Sequence, residues 1–442
     1  MKILHTADWH LGHEFYSSDR AAEHDVFLNW LAEEIRARRP EVIIIAGDIY
    51  HSVNPSIRAQ KQFYRALSTW LEADPVLQIV VIGGNHDSAA RLEMPLDLAP
   101  SPRLSIVGAL PQQQNRRIEL ERCILPLRHR SGDVGAVCLA VPFLRPGDLQ
   151  RATADFTDSA SAEAEKLGAL YTALSNKAAA LCGDVPQIAT GHLAVQGAAP
   201  GAESERPVLI GGEEAVGRSV FPASLAYVAL GHLHRPQTLR GGESDVDAAR
   251  PLLRYAGSPF PLSLSETAYV HSLTWLTIAG DGPTAADVQV EETPIPRPAA
   301  FIRLPATGSA PLDELEAQIE ALDPAPHPDT GLCPYLELAV ALDEPRPDLR
   351  ERIDRALAGK PVRLTRIQRH SSGASSVDRA EDTPPLSELS PSEVFQRLFA
   401  ERSDTGGQAP SRKLRVAFDE LRATLAGGGA FDRRDGAEDT AR

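Results

Sequence analysis

The chain has 442 residues, 43% of them apolar, and a formal net charge of −15. That length suits about three domains with ample chain to bury a core, and the acidic balance leaves a nucleic-acid surface to local basic patches, not to the chain as a whole. The four cysteines (Cys123, Cys138, Cys182, Cys333) form no C-x-x-C pair and no apolar run approaches the ~18 residues of a membrane span, which sets aside disulfide scaffolds, zinc knuckles and membrane proteins. With no cationic leader in MKILHTADWHLGH, the expectation is a cytoplasmic protein.

In chain order, Lys2–Thr6 reads as a strand and Ala21–Arg38 as a helix with Phe27, Leu28, Leu31 and Ile35 on one face. Val42–Ala46 is a buried strand, Ser56–Glu72 a helix and Gln78–Ile82 a strand. Strands follow near Val137–Val141, Gln187–Thr190 and Tyr227–Leu230, with a helical stretch over Ser161–Leu181 and a loop-like insertion at Gly197–Gly217. Short apolar runs alternating with helical periodicity predict an α/β sandwich. Beyond the prolines of PIPRP, Phe301–Pro305, Pro311–Leu322, Tyr335–Leu342, Pro347–Ala358 and Val362–Arg369 form a βαβαβ unit. The expected domains are 1–285, a small unit 296–370, a linker 371–385, a helical tail 386–426 and a disordered end 427–442. In the tail, Ser390 and Glu393 of LSPSEVF make a capping box before an apolar face of Val394, Phe395, Leu398 and Phe399, and Ser411–Ala426 is a second helix. The Phe63, Leu67 and Trp70 face of the Ser56–Glu72 helix fits either a core or a dimer interface.

Five polar groups stand at strand ends: Asp8-x-His10, Gly47-Asp48, Gly84-Asn85-His86-Asp87, Gly191-His192 and Gly231-His232-Leu233-His234. In α/β sheets, sites gather beyond the carboxyl ends of strands. Asp8, His10, Asp48, Asn85, His192, His232 and His234 offer oxygen and imidazole nitrogen but no thiolate, a set suited to Mn²⁺, Fe²⁺ or Zn²⁺ and too rich in nitrogen for Ca²⁺. Seven ligands are too many for one ion with an open position. They suit two ions sharing a carboxylate, with Asp48 the expected bridge. Glycines before Asp48, Asn85, His192 and His232 are expected to let the backbone turn beside the metals. On a regular strand His232 and His234 would point to the same side, and on a turn they could diverge.

In this order the groups resemble the calcineurin-like metallophosphoesterases. ILHTADWHLGH, AGDIYH, GNHDSAARLE, YVALGHLHRPQ and YAGSPFPLSLSE resemble the bacterial SbcD nuclease-subunit family and its break-repair counterparts, with Ala256 of YAGSP a departure that touches no expected ligand. The resemblance implies a metallophosphoesterase β-sandwich flanked by helices, a small α+β capping domain and a C-terminal helical tail. It implies one metal on Asp8, His10, Asp48 and His234 and a second on Asp48, Asn85, His192 and His232, with Mn²⁺ the expected ion; dividing His232 from His234 in this way predicts a turn after Gly231. His86 would be the catalytic histidine and His51 would help direct the nuclease reaction. Asp87 is read as an orienting partner for His86, with a turn residue as the alternative; His5 reads as a strand residue and His13 as a loop residue facing DNA. The implied activities are 3′-to-5′ exonuclease and single-strand or hairpin endonuclease. The implied partners are DNA ends and hairpins, an SbcC-type coiled-coil ATPase bound through the tail, and a second copy in a heterotetramer at the nucleoid. The alternatives are a phosphomonoesterase or cyclic-nucleotide phosphodiesterase of the same superfamily, or a non-catalytic scaffold.

Overall fold

The computed structural model describes residues 1–98, 101–112, 118–154, 157–158, 161–201, 215–239, 251–280, 287–342, 344, 346–370, 395, 414–415 and 418. Residues Met1–His370 form one compact unit built around two six-stranded sheets. The first runs Asp287–Pro294, Ser272–Ala279, Lys2–Thr6, Val42–Ala46, Gln78–Ile82, Leu104–Val107; the last four strands are parallel and the first two join antiparallel. The second runs Gln237–Leu239, Leu252–Tyr255, Leu225–Gly231, Gln187–His192, Val134–Leu139, Ile124–Arg128, with parallel strands between two antiparallel edges.

The sheets pack face to face. Val42, Ile44 and Ala46 share a core with Val137, Ile188, Tyr227 and Val228 of the second sheet. Ile43 and Ile45, on the opposite face, pack with Phe27, Leu31, Phe63, Leu67 and Trp70. Burial on both faces is why VIIIA is an unbroken apolar run. Helices Ala21–Arg38 and Ile57–Ala73 cover the first sheet, and Glu163–Cys182 covers the second with Leu167, Leu170, Tyr171 and Leu174. The result is the expected sandwich flanked by helices. The Ser56 hydroxyl accepts from Ala59 N at 3.2 Å and starts the second helix. Phe63, Leu67 and Trp70 are buried in the core, so this face is not available to a second copy.

The antiparallel pair Ser272–Ala279 and Asp287–Pro294 has no counterpart among the elements expected from the sequence. All of Asp287–Pro294 is exposed or half-buried, and in its sequence, DVQVEETP, only Val288 and Val290 pack against the core, an apolar alternation too short to mark a strand by itself. Its pairing with Ser272–Ala279 defines it.

A third, all-parallel sheet centres on Tyr335–Ala341, with Phe301–Leu304 and Ala310–Pro311 on one side and Arg363–His370 on the other. Helices Leu312–Ala321 and Leu349–Ala356 close its core of Leu315, Ile319, Leu336, Leu338 and Ile353. The βαβαβ order is as expected, with the two-residue strand Ala310–Pro311 added. In the second unit, Ser371–Arg442, residues Phe395, Leu414, Arg415 and Phe418 are helical, and the Phe395 and Phe418 rings stack with centroids 4.2 Å apart. The expected linker, the rest of the tail and most of the Gly197–Gly217 insertion lie outside the described residues.

Candidate metal centre

The expected site residues meet where parallel strands of both sheets end. The chain after Lys2–Thr6 runs beside the loop after Val42–Ala46: Asp8 N donates to Gly47 O at 3.0 Å, His10 N to Asp48 O at 3.0 Å and His51 N to Leu11 O at 3.1 Å. This lacing holds Asp8 (φ 54°), His10 (φ 45°) and Asp48 (φ 50°) in left-handed backbone, where His232 (φ 100°) also lies. Seven described non-glycine residues are left-handed, and four of them are expected ligands. Such strain persists where the surroundings fix side-chain directions for function. The Leu225–Gly231 strand ends at Gly231, and the turn expected after it is present. Gly47 (φ 91°) is also a turn, but Gly84 serves proximity: a Cβ there would lie 2.1 Å from Asp48 Oδ1.

Asp48 is central. Its Oδ2 is 3.5 Å from His10 Nε2 and 3.3 Å from His192 Nε2, while its Oδ1 accepts from His86 N at 2.9 Å. On the His10 side stand His234, with ring centroids 5.1 Å apart, and Asp8, whose Oδ1 accepts from His232 N at 2.9 Å. On the His192 side, Asn85 Oδ1 is 3.0 Å from His192 Nε2, and the His232 ring centroid is 5.4 Å away. His192 Nδ1 donates to Ala46 O at 3.0 Å, which aims Nε2 at Asp48 and Asn85. The His86 ring lies 4.8 Å from His10, and the His51 ring 5.5 Å from each of them.

Asp87 is the exception. Its carboxylate accepts from Gly84 N at 2.9 Å, Tyr50 N at 2.9 Å and Ile49 N at 3.1 Å, pinning two loops together. The group that orients the His86 ring is the His51 carbonyl, which accepts from Nδ1 at 2.7 Å.

Asp8 Oδ2 and His10 Nε2 are buried without a hydrogen-bond partner, a cost that a bound cation removes. Asp8, His10 and Asp48 each offer a ligand atom, and these atoms lie within 4.8 Å of one another. Orphaned acceptors and a carboxylate shared by two imidazoles fit divalent metal ions. Burial raises Asp8 to about 7, against the nearby His192 and His234, and pushes His10 well below its usual range. Burial opposes charge on both Asp48 and His192, yet each favours the other's ion: Asp48 is held well below the usual carboxylate range and His192 is raised to about 9. Burial, then His192, lowers His232 to about 3.

Two residues carry more than their sequence context showed. Glu266 is fully buried; its Oε1 accepts from His234 Nδ1 at 2.8 Å and its Oε2 from Leu262 N at 2.7 Å. It fixes the His234 ring so that Nε2 serves the site. Its signal was the acid closing YAGSPFPLSLSE. His13 is buried against His51, not turned out toward DNA, with ring centroids 4.7 Å apart. His5 is a buried strand residue, as expected, with Nδ1 2.9 Å from the Tyr227 hydroxyl of the facing sheet.

The family model described as calcineurin-like phosphoesterase matches residues 1–236, the stretch that carries this cluster of aspartates and histidines at the strand ends. A second model, described as Type 5 capsule protein repressor C-terminal domain, matches residues 297–403. The SbcD subunit of the SbcCD nuclease from Rhodobacter capsulatus is 42% identical over 369 residues, covering 82% of this chain and 86% of that protein. The SbcD protein of Escherichia coli K12 is 32% identical over 97% of this chain and 99% of its own length, and that of Bacillus subtilis 34% identical over 62% and 65%. The chain belongs to the calcineurin-like phosphoesterases and, within them, to the SbcD family of nuclease subunits.

Proposed function

We propose that this chain is the nuclease subunit of an SbcC–SbcD type complex, a metal-dependent DNA nuclease that hydrolyses phosphodiester bonds. The observation that carries the reading is Asp48 Oδ2, set between His10 Nε2 at 3.5 Å and His192 Nε2 at 3.3 Å. Asp8, His10, Asp48 and His234 would hold one ion and Asp48, Asn85, His192 and His232 the other, with Mn²⁺ the expected metal. When bound, such a pair of cations neutralises phosphate charge and acidifies a water for attack. The chain supplies the rest. With its Nδ1 proton on the His51 carbonyl, His86 presents Nε2 to the substrate, where its charged form stabilises the transition state or protonates the departing sugar oxygen. His51, half-buried beside His86, steers the phosphate, and Asp87 positions the loop that carries His86.

DNA ends and hairpins are the proposed substrates, cut as a 3′-to-5′ exonuclease and a single-strand endonuclease in recombination, replication and repair. The proposed assembly pairs two copies with two coiled-coil ATPase subunits bound through the tail, in the cytoplasm at the nucleoid. No described helix is long and apolar enough to cross a membrane. The test is cleavage of end-labelled duplex and hairpin DNA with Mn²⁺ or Mg²⁺, with and without the ATPase and ATP. His86→Ala should keep two metal equivalents and lose about 10²–10⁴-fold in rate. Inactivity of the unaltered chain in every arm overturns the reading, and joint loss of metal and activity in His86→Ala would make His86 structural.

A further inference from the structure

Behind His51 lies a histidine that the proposed reaction does not use. His13 is 8% exposed, and its backbone N–H donates to His10 O at 2.9 Å, closing a turn that tucks the ring inward. The ring meets His51 edge-on, with centroids 4.7 Å apart and planes at 80°, and its Nδ1 is buried without a hydrogen-bond partner. On its other side is Phe15, 6.4 Å away and fully buried. Phe15 packs against Tyr335 at 4.8 Å and Phe301 at 5.4 Å, which stack on each other at 5.1 Å. Both belong to the third sheet. A continuous row of rings therefore runs from the third sheet through Phe15 and His13 to His51. Its far end is locked: Glu23 Oε1 accepts from the Tyr335 hydroxyl and from Arg363 at 2.9 Å, while Glu23 Oε2 accepts from Arg20 at 2.7 Å.

His51 needs such a wall. Its Nδ1 stands 3.4 Å from His10 Nδ1, and its ring is only half-buried. A ring held by packing keeps its place only if the atoms behind it cannot yield, and close-packed interiors pass on small displacements. We infer that His13 is a positioning residue that holds His51 over the metal centre, and that Phe15 is the strut through which the third sheet sets that position. The inference rests on the proposed role of His51 at the substrate.

The test uses the full chain with His13→Ala, His13→Phe, Phe15→Leu, His51→Ala and the double variant His13→Ala/His51→Ala. Metal content, Tm, and kcat and KM on linear duplex DNA with Mn²⁺ are measured for each. His13→Ala should keep its metals and its KM and lose about tenfold to a hundredfold in kcat, the range that a misplacement of an ångström produces. His13→Phe, which refills the space, should recover most of the loss. The double variant should be no slower than His51→Ala, because His13 acts only through His51. In histidine-selective NMR spectra of the metal-free protein, the His51 ring signal, assigned by its loss in His51→Ala, should shift in His13→Ala and in Phe15→Leu. Multiplied losses in the double variant, or an unmoved His51 signal, overturn the inference. Failure of the unaltered chain to cut DNA would instead sink the nuclease reading, and the NMR arm would still decide the positioning.

Discussion

At the scale of single residues, the metal centre is a problem of where protons sit. Asp48 faces two imidazoles with one oxygen and a backbone amide with the other, so its removal strips both halves of the site. Asp48→Ala is expected to bind neither metal, read by elemental analysis after desalting; two retained equivalents would rule out a shared ligand. Without metal, and against its burial, His192 is raised from its usual 6.5 to about 9 by the Asp48 carboxylate. Its proton therefore stabilises the metal-free fold fully below 6.5, and that gain is lost as pH rises through 9. A cation at Nε2 must displace this proton, and Asp8, raised to about 7, gives up its own over the same range, so apparent Mn²⁺ affinity should rise at least about tenfold from pH 7 to pH 8. Isothermal titration at the two pH values measures it, and an unchanged affinity would mean that His192 is already neutral. The proposed ligands could be picked out because each is a polar residue at the end of an apolar strand. Glu266 could not, because its use depends on a 2.8 Å contact with His234, which sits 32 residues away.

At the scale of elements, strands and helices with a strong apolar period were legible almost to the residue. Lys2–Thr6, Ala21–Arg38, Val42–Ala46 and Gln78–Ile82 all stand as read from the sequence. Loops were legible as ligand carriers but not in how they touch. The Gly84 loop approaches Asp48 so closely that a Cβ would sit 2.1 Å from its Oδ1. Gly84→Ala should therefore push the two loops apart, costing about 1–3 kcal/mol and weakening metal binding. Urea unfolding with a parallel metal titration tests this. Full stability with full metal content would show that the loops have slack. Asp87 teaches the same point, since a carboxylate beside His86 serves three backbone amides and not the imidazole.

At the scale of the whole molecule, Met1–His370 contains the sandwich, the metal centre and the third sheet as one compact unit, and Ser371–Arg442 is another. A chain ending at His370 should accordingly keep two metal equivalents and lose its association with the coiled-coil ATPase, as read by pull-down. Unchanged association would place the partner surface elsewhere. The sequence by itself determined the α/β class, the order of the main elements and the identity of every proposed ligand. Apolar periodicity and residue chemistry are local properties, and both can be read along one strand or one loop. Only the tertiary structure decided which atoms face each other. It paired the Asp287–Pro294 strand with Ser272–Ala279, turned Phe63, Leu67 and Trp70 into the core, and set Glu266 behind His234 and His13 behind His51. These outcomes depend on distances between residues far apart in the chain. Those distances are fixed by how two sheets and a third pack together, and no local pattern encodes them.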